Sequence, residues 1–319
     1  MGETMKIAVL VPVYNAEKYL RECLDSILTQ EGVTLSVFCC NDGSTDGSES
    51  ILSEYVARYP NVQFVTQKNA GVSAARNRLL NELPEEFDFY AFVDADDYIA
   101  PGMYACLSEA AERTGADVIE CGGAESERII DDCSIFLLRQ TAPGPWINVI
   151  NKLYRRSVTG AVRFRKGLAF EEDFFYNYEV NAEIRRKVIV SGNFYTYRRN
   201  PDSATKSLNL RRYLDSAAER IRLSCAVFAN AGRIPADKMH AFRAELAKDA
   251  VRMMIRKNLR KNRNVHERRD LFLKAGALLA ELEHSYGFRA EGLDVLPSLL
   301  YRLCRSGHYL PAFVLSFFI

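Results

Sequence analysis

The stretch Phe92-Val93-Asp94-Ala95-Asp96-Asp97-Tyr98 places three carboxylates within four positions, at the end of an apolar run that begins at Phe87. The apolar residues predict a buried strand, and the aspartates predict a loop at its carboxyl end. Like charges this close repel one another and cannot all leave water cheaply. A divalent cation offsets that cost, and aspartate oxygens are hard ligands that suit Mg²⁺ or Mn²⁺. Taken alone, such a cluster is more often a solvated acidic turn than a cation site.

Apolar runs and helical patterns alternate on both sides of this loop. The other predicted strands of the first half are Lys6–Val11, Leu35–Cys40, Val62–Val65 and Ala116–Cys121. Predicted helices cover Glu17–Gln30, a segment capped by Ser44 or Thr45, Ala74–Leu83 and Gly102–Thr114. This alternation indicates βαβ units and a mostly parallel sheet. Polar motifs follow the strands, and ligands of open α/β sheets bind outside the strands' carboxyl ends. We therefore expect these loops to converge on one crevice.

The patterns after Gly122 are weaker. Predicted elements are a helix over Trp146–Tyr154, a helix that opens at Glu171-Glu172-Asp173, and strands at Val188–Val190 and Tyr195–Arg198. Beyond about Lys206 the periodicity becomes helical throughout. We therefore expect a domain over residues 1–205, in which the patterns are strong over about 1–121 and weaker over about 122–205. A helical C-terminal region over 206–319 follows it.

Composition and charge limit the class of protein. A net charge of +1 gives no global attraction to nucleic acid or membranes. The eight cysteines are scattered without zinc-site spacing, which is typical of reduced thiols in a cytoplasmic protein. The apolar run Ile7–Val11 is too short for a signal peptide, and no run approaches the ~20 apolar residues of a spanning helix. We expect a cytoplasmic protein.

The C-terminal region carries a local basic segment. Arg252 to Arg269 holds eight basic residues against the single acid Glu267, and the chain ends in the apolar Tyr309–Ile319. Such features suit contact with an anionic membrane surface, here the inner face of the membrane. They suit equally a helix packed on the sheet domain, with a tail that completes a core or a dimer. The segment lacks aromatic interleaving and any binding motif, so we expect no nucleic-acid partner.

Six motifs occur in a fixed order along residues 5 to 205. They are Pro12–Asn15, Asn41–Ser48, Asn69–Asn77, Asp94–Asp97, Asn151–Arg156 and Glu171–Phe175. Together they resemble the family-2 inverting glycosyltransferases of bacterial polysaccharide synthesis. The resemblance implies the GT-A fold, a Rossmann-like α/β architecture whose mostly parallel sheet is flanked by helices. Each motif is weak alone, and their order and spacing give the resemblance its specificity.

The resemblance implies a donor half of about 1–121, whose loops bind a nucleotide-sugar donor, and an acceptor half of about 122–205. Tyr14 would lie against a uracil face, and Asp42 would accept the uracil N3–H; alternatively, Asp42 only caps the turn and helix after it. Lys68 and Arg76 would supply positive charge or hold Asp94, and for Arg76 a structural salt bridge is nearly as good an interpretation. The other predicted donor-site residues are Pro12, Val13, Asn15, Glu17, Asn69, Gly71 and Ala95.

The family pattern also implies a metal site and a base. Asp94 would contact the ribose or a metal-bound water, and Asp96 would ligate the Mn²⁺ or Mg²⁺ that bridges the phosphates. An inverting transfer needs one general base on the acceptor side. The family places it on the aspartate of a Glu-Asp pair, and two registers fit this sequence. We predict Asp173, with Glu172 as the alternative. Acidic residues also favour any helix N-terminus, which explains part of the cluster.

The predicted function is that of a metal-dependent inverting glycosyltransferase of the hexosyltransferase type. It would move a sugar from a UDP-sugar to a hydroxyl of a growing glycan or lipid-linked acceptor in cell-surface polysaccharide synthesis. A nucleotidyltransferase is one alternative, but it would carry a Gly-rich phosphate loop early in the chain, unlike Pro12–Asn15. A non-catalytic nucleotide-sugar-binding subunit is the other, and a degenerate copy would usually have lost Asp94, Asp96 or Asp173.

Overall fold

The computed structural model describes residues 5–122, 125–131, 148–166 and 172–198, together with a few isolated positions between 219 and 284. The four ranges fall within one compact unit of the chain. The strands are β1 (Lys6–Val13), β2 (Thr34–Asn41), β3 (Val62–Thr66), β4 (Phe89–Phe92), β5 (Tyr98–Ile99), β6 (Val118–Cys121), β7 (Arg128–Ile130), β8 (Lys152–Arg155), β9 (Lys187–Val190) and β10 (Tyr195–Thr196). The helices are α1 (Leu20–Leu28), α2 (Ser48–Arg58), α3 (Val72–Glu82), α4 (Met103–Thr114), α5 (Arg156–Thr159) and α6 (Glu172–Glu183).

Eight of the strands form one sheet in the order β3-β2-β1-β4-β8-β6-β9-β7. Neighbours from β3 to β4 all pair in parallel. Strand β8 runs antiparallel between β4 and β6, and β7 is antiparallel to β9. Strands β5 and β10 form a separate antiparallel pair. The expected α/β architecture with a mostly parallel sheet is confirmed.

The central strand is buried along its length, as its sequence predicts. Ile7 to Val13 of β1 are all buried, since a parallel strand flanked on both sides is covered on both faces. Helix α1 turns one apolar face inward through Leu20, Cys23, Leu24 and Ile27, which follow helical spacing. Apolar residues of these elements belong to one continuous core.

The parallel register explains why the polar loops meet. Val13 lies beside Asn41, and Asn41 lies beside Thr66, so β1, β2 and β3 end at one edge of the sheet. Phe92, the last residue of β4, lies beside Leu10 of β1, and the two strands run in the same direction. The loops that follow these four strands therefore emerge at a common edge. This confirms the convergence expected from the order of the motifs.

One segment differs from its predicted conformation. Trp146–Tyr154 is predicted to be helical, and this prediction is wrong for the described residues from Asn148 onward. Asn151 has a φ of 61°, a left-handed conformation that a continuing helix excludes. The residues after it form β8 and fill the gap between β4 and β6. A short apolar run is ambiguous between helix and strand, and sheet pairing decided the outcome here.

The predicted domain boundary near 205 and most of the predicted helical region 206–319 lie outside the described residues, and so do the basic segment from Arg252 to Arg269 and the C-terminal tail. Within the described part of the chain, no helix combines the length and apolarity needed to cross a bilayer.

Candidate active site

The loops after β1 and β2 are held together by reciprocal hydrogen bonds. The Asn15 backbone N–H donates to Ser44 Oγ at 3.0 Å, and the Thr45 N–H donates to Asn15 Oδ1 at 2.7 Å. Glu17 Oε2 accepts from the Gly47 N–H at 2.9 Å. Asn15 adopts a φ of 49°, which asparagine tolerates better than most residues. The side chains of Asn15 and Glu17, both predicted donor residues, therefore fix the shape of these loops.

The remaining residues of the first motif differ in exposure. Pro12 and Val13 are buried at the end of β1. Tyr14, the next residue, is 52% exposed. An exposed aromatic ring offers a flat apolar face, so Tyr14 is the member of this motif that is available to contact a nucleobase.

Asp42 fixes the loop that follows β3. Its Oδ1 accepts from Gln67 Nε2 at 2.7 Å and from the Ala70 N–H at 2.9 Å, and its Oδ2 accepts from the Gly71 N–H at 2.8 Å. The side chain is only 2% exposed, and helix α2 has no side-chain cap. Asp42 therefore does not cap the following helix. It ties two neighbouring loops together, and its contact with uracil stays a prediction.

Gly71 is required for its backbone conformation. Its φ is 89°, in the region that L-residues rarely adopt, and a Cβ there would meet nothing within 4 Å. Its predicted place in the donor site stays a prediction. Lys68 and Asn69 of the same loop are exposed, and their predicted contacts with the donor are not tested by the geometry.

A buried arginine joins the two groups of predicted catalytic carboxylates. Arg76 on α3 places Nη2 at 2.8 Å from Asp94 Oδ1. Its Nη1 lies 2.6 Å from Asp173 Oδ1 and 3.4 Å from Glu172 Oε1. Asp94 follows β4, and Glu172 and Asp173 open α6. One guanidinium thus brings the aspartate loop and the N-terminus of α6 to the same place.

The environment of Arg76 favours its charged form. The side chain is 2% exposed, and its guanidinium lies 5.1 Å from the centroid of the Phe164 ring, so both charge pairing and ring contact hold it. Burial opposes the charge, but Asp173, Asp94 and Glu172 outweigh it and raise the pKa of Arg76. A buried charge persists when it is paired in this way. The salt-bridge interpretation of Arg76 is confirmed for Asp94 and extends to Glu172 and Asp173.

Asp173 makes contacts through both of its carboxylate oxygens. Its Oδ2 accepts from the Val149 N–H at 3.3 Å, while Oδ1 faces Arg76. Burial raises the pKa of Asp173 to about 6, with Glu172 and Asp94 adding to the rise and Arg76 opposing it. A carboxylate with such a pKa is ionised near neutral pH and is more basic than an exposed one.

The aspartate loop is supported by residues that the sequence did not point to. The Tyr195 hydroxyl donates to Asp97 Oδ2 at 2.7 Å and accepts from the Asp94 N–H at 3.2 Å. The Arg198 N–H donates to Asp97 Oδ1 at 2.8 Å, and its Nε donates to the Asp96 carbonyl at 3.0 Å. Burial raises the pKa of Asp97 to about 7, although both donors favour its ionised form. Asp97 therefore anchors the loop, with Ala95 buried beneath it.

The residues present fit a cation that takes most of its ligands from a substrate. No cluster of three or more His, Cys, Asp or Glu that suits a metal occurs among the described residues. Asp94 and Asp96 supply hard oxygen donors, and Mg²⁺ is usually held by one or two carboxylates plus substrate phosphates. A site of this kind therefore needs a diphosphate to be complete.

An α/β domain with a mostly parallel sheet, polar loops at the ends of its strands and this carboxylate–arginine cluster agrees with the GT-A fold of glycosyltransferases. Residues 8–134 match the sequence profile of Glycosyl transferase family 2. The domain therefore belongs to glycosyltransferase family 2, which confirms the resemblance drawn from the six motifs.

Similar proteins agree with this assignment. The glycosyltransferase GlyA of Streptococcus pneumoniae is 31% identical over 242 residues, which is 68% of this chain and 34% of GlyA. EpsJ of Bacillus subtilis, an uncharacterised glycosyltransferase, is 29% identical over 218 residues, which is 63% of this chain and 63% of EpsJ. Among solved structures, residues 1–349 of S. aureus TarS in complex with UDP-GlcNAc share the fold, with a TM-score of 0.76 at 20% identity over 98% of this chain and 90% of that one. The chain thus spans about a third of GlyA and less than two thirds of EpsJ.

The contacts of Asp42 lead to a stability prediction. In Asp42→Asn, an NH₂ group replaces one of the two carboxylate oxygens, and it cannot accept a hydrogen bond. At least one buried N–H donor that faces Asp42 therefore loses its acceptor. We expect a loss of about 1–3 kcal/mol in the free energy of unfolding and faster hydrogen exchange at the Ala70 and Gly71 amides. Asp88→Asn is the control, because Asp88 is an exposed aspartate that accepts one backbone N–H. Urea unfolding and amide exchange measure both. Unchanged exchange in Asp42→Asn would show that the loop does not depend on this carboxylate.

Proposed function

We propose that this chain transfers a sugar, with inversion, from a UDP-sugar to a hydroxyl group of a glycan or lipid-linked glycan acceptor. The observation that carries the proposal is the Arg76 junction, which holds the candidate metal loop and the candidate base in one buried ion-pair network. Donor activation and acceptor deprotonation must occur on opposite sides of the same sugar carbon in a single displacement. A shared arginine fixes the two groups relative to each other.

The donor side of the proposal rests on the loops at the ends of the parallel strands. Tyr14 offers an exposed ring for the base, and Asp42 holds the loop that contains Lys68 and Asn69 next to it. TarS, which shares the fold, is described in complex with UDP-GlcNAc, and this supports uracil as the base. The identity of the sugar does not follow from these contacts.

Asp96 and Asp94 would hold the divalent cation, Mn²⁺ or Mg²⁺. When bound, the cation supplies Lewis-acid stabilisation of the charge that develops on the nucleoside diphosphate. The chain's own part is to fix the loop: Tyr195 and Arg198 hold Asp97 and the Asp96 carbonyl, and Arg76 orients Asp94. These contacts hold the backbone of the loop that carries both carboxylates.

Asp173 would accept the proton of the acceptor hydroxyl. Arg76 fixes one of its oxygens and the Val149 N–H the other, whereas Glu172 makes the longer contact with Arg76. Because the pKa of Asp173 is raised to about 6, the side chain is both ionised and basic at neutral pH. This geometry favours Asp173 over Glu172 as the base.

The acceptor half and the cellular setting belong to the same proposal. We propose that residues of about 122–205 face the acceptor and that the chain acts in the cytoplasm in cell-surface polysaccharide synthesis. We also propose that residues 206–319 form a helical region that follows the catalytic domain. The family membership and the six motifs carry this part. Contact with the inner face of the membrane rests on the basic segment from Arg252 to Arg269.

Nucleotide titration tests the donor site. We expect calorimetry to show binding of UDP in the presence of Mn²⁺ and much weaker binding without it, and weaker binding of GDP, CMP and ADP. Asp96→Asn is expected to weaken metal-dependent UDP binding by at least about tenfold, since even outer partners of a metal contribute this much. Asp88→Asn, at the opposite end of β4, serves as the control. Preference for GDP would contradict the uridine assignment, and binding of no nucleotide would contradict the donor site.

The assignment of the base predicts a distinct pattern of rates. Asp173→Asn is expected to lower UDP release from a UDP-sugar by about 10²- to 10⁴-fold, the usual contribution of a general base, with UDP binding retained. In the wild type, turnover falls as the pH drops below about 6, because protonated Asp173 cannot accept a proton. Glu172→Gln removes a neighbouring negative charge that raises the pKa of Asp173, so the fall in turnover moves to lower pH. Loss of turnover in Glu172→Gln with activity retained in Asp173→Asn would assign the base to Glu172 instead.

A further inference from the structure

The turn formed by residues 148–151 is attached to α6 at two points. The Val149 N–H donates to Asp173 Oδ2 at 3.3 Å, and Asn177 Nδ2 donates to the Asn148 carbonyl at 2.9 Å. Asp173 and Asn177 are four residues apart, so they lie on one face of the helix, one turn from each other. The position of this turn therefore affects how the Asp173 carboxylate is oriented.

A buried lysine holds the same turn from the sheet side. Lys152 Nζ donates to the Asn148 carbonyl at 2.7 Å and to Asn151 Oδ1 at 2.9 Å, with the Ile150 carbonyl at 3.4 Å. An ammonium group carries three N–H donors and no acceptor. Residues of the turn thus place three oxygens around the Lys152 ammonium group. The Asn148 carbonyl accepts from both Lys152 and Asn177.

The charge of Lys152 is kept inside the domain by Glu120. Both side chains are fully buried, and Lys152 Nζ lies 3.4 Å from Glu120 Oε2. Lys187 of β9 approaches the same oxygen at 2.6 Å. Burial lowers the pKa of Lys152 to about 8, and Glu120 partly offsets the change. Apolar residues of similar volume often stabilise a core as well as a buried ion pair does, so stability alone does not account for a lysine here.

We propose that Lys152 is a positioning residue for the general base: it fixes the 148–151 turn so that the Val149 N–H meets the Asp173 carboxylate. Lys152 does not touch the reacting atoms, and it acts through Val149. The inference rests on the proposed role of Asp173 as the base. It gives the Asn151–Arg156 motif, which the donor and metal sites do not use, a function in the chemistry.

Among the described residues, Asp173 is faced by Arg76 of α3, Asp94 after β4, its neighbour Glu172 and the Val149 N–H. Arg76 donates to Oδ1 of Asp173, and the Val149 N–H donates to Oδ2. Loss of the Val149 contact therefore removes the hydrogen bond that the turn gives to Oδ2. The carboxylate then has more freedom to rotate about its Cβ–Cγ bond. A small displacement of a reacting group is enough to lower a rate strongly.

The test compares two lysines that share one carboxylate. Lys152→Met and Lys187→Met each remove one cation from Glu120, and Lys152→Met also removes the hydrogen bonds to Asn148 and Asn151. We expect Lys152→Met to lower kcat for UDP release from a UDP-sugar by about 10- to 100-fold with the KM for the donor unchanged, and to speed hydrogen exchange of the Val149 amide. Lys187→Met is expected to keep the wild-type kcat and the wild-type exchange of Val149.

A second variant tests the inference if Lys152→Met does not fold. Asn177→Ala removes the other donor to the Asn148 carbonyl and leaves the Glu120 pairs in place, so it is expected to reproduce the loss in kcat and the faster Val149 exchange. Equal behaviour of the two lysine variants, or wild-type Val149 exchange in both Lys152→Met and Asn177→Ala, would overturn the inference.

The exchange measurement needs no substrate, so it separates this inference from the proposed function. If Asp173→Asn retains turnover, the base assignment fails whatever Val149 shows. If Asp173→Asn is inactive while Lys152→Met keeps both the wild-type kcat and Val149 exchange, only the role of Lys152 fails.

Discussion

The buried guanidinium of Arg76 is the constraint on which the rest of the site depends. An arginine side chain cannot lose its proton at physiological pH, so a buried one must be surrounded by acceptors. Here the acceptors come from two distant parts of the chain, Asp94 after β4 and the pair Glu172 and Asp173 at the start of α6. Leaving any of these charges unpaired would cost free energy of folding. The ion pairs therefore fix α3, the aspartate loop and α6 relative to one another. The same network holds a candidate metal ligand and a candidate base at a set separation.

The parallel half of the sheet supplies the frame for this network. Strands β1 to β4 end at one edge, and their loops are then tied to each other by polar side chains. Asn15 and Glu17 join the first loop to the second, and Asp42 joins the second to the third. Several predicted donor residues thus have a structural task, and loops made rigid in this way need little reorganisation when a ligand binds. At Asp42 the predicted donor contact and the stability of the loops involve the same carboxylate.

Much of the architecture could be predicted from the sequence because its signals are local. Continuous apolar runs followed by polar turns gave β1 to β4, and the order of the motifs placed their loops at one edge. The contacts of Arg76 with Asp173 and of Tyr195 with Asp97 could not be predicted in this way, since the partners are 97 and 98 residues apart and no periodicity links them. The predicted helix over Trp146–Tyr154 is wrong because β8, which includes its last residues, is specified by the neighbouring strands β4 and β6 and not by its own residues. The roles of Lys152 and Val149 depend on that same segment.

The central claim is that one arginine couples the aspartate loop to the base, and replacing Arg76 by lysine tests it most directly. Lysine keeps the positive charge but lacks the planar fork that reaches two carboxylates at once. We predict that Arg76→Lys lowers kcat/KM for UDP release from a UDP-sugar by about 100-fold or more, as expected when reacting groups are misplaced, and weakens metal-dependent UDP binding. Arg78→Lys, on the same helix and paired with Glu82, is predicted to retain both. Wild-type turnover in Arg76→Lys would contradict the account.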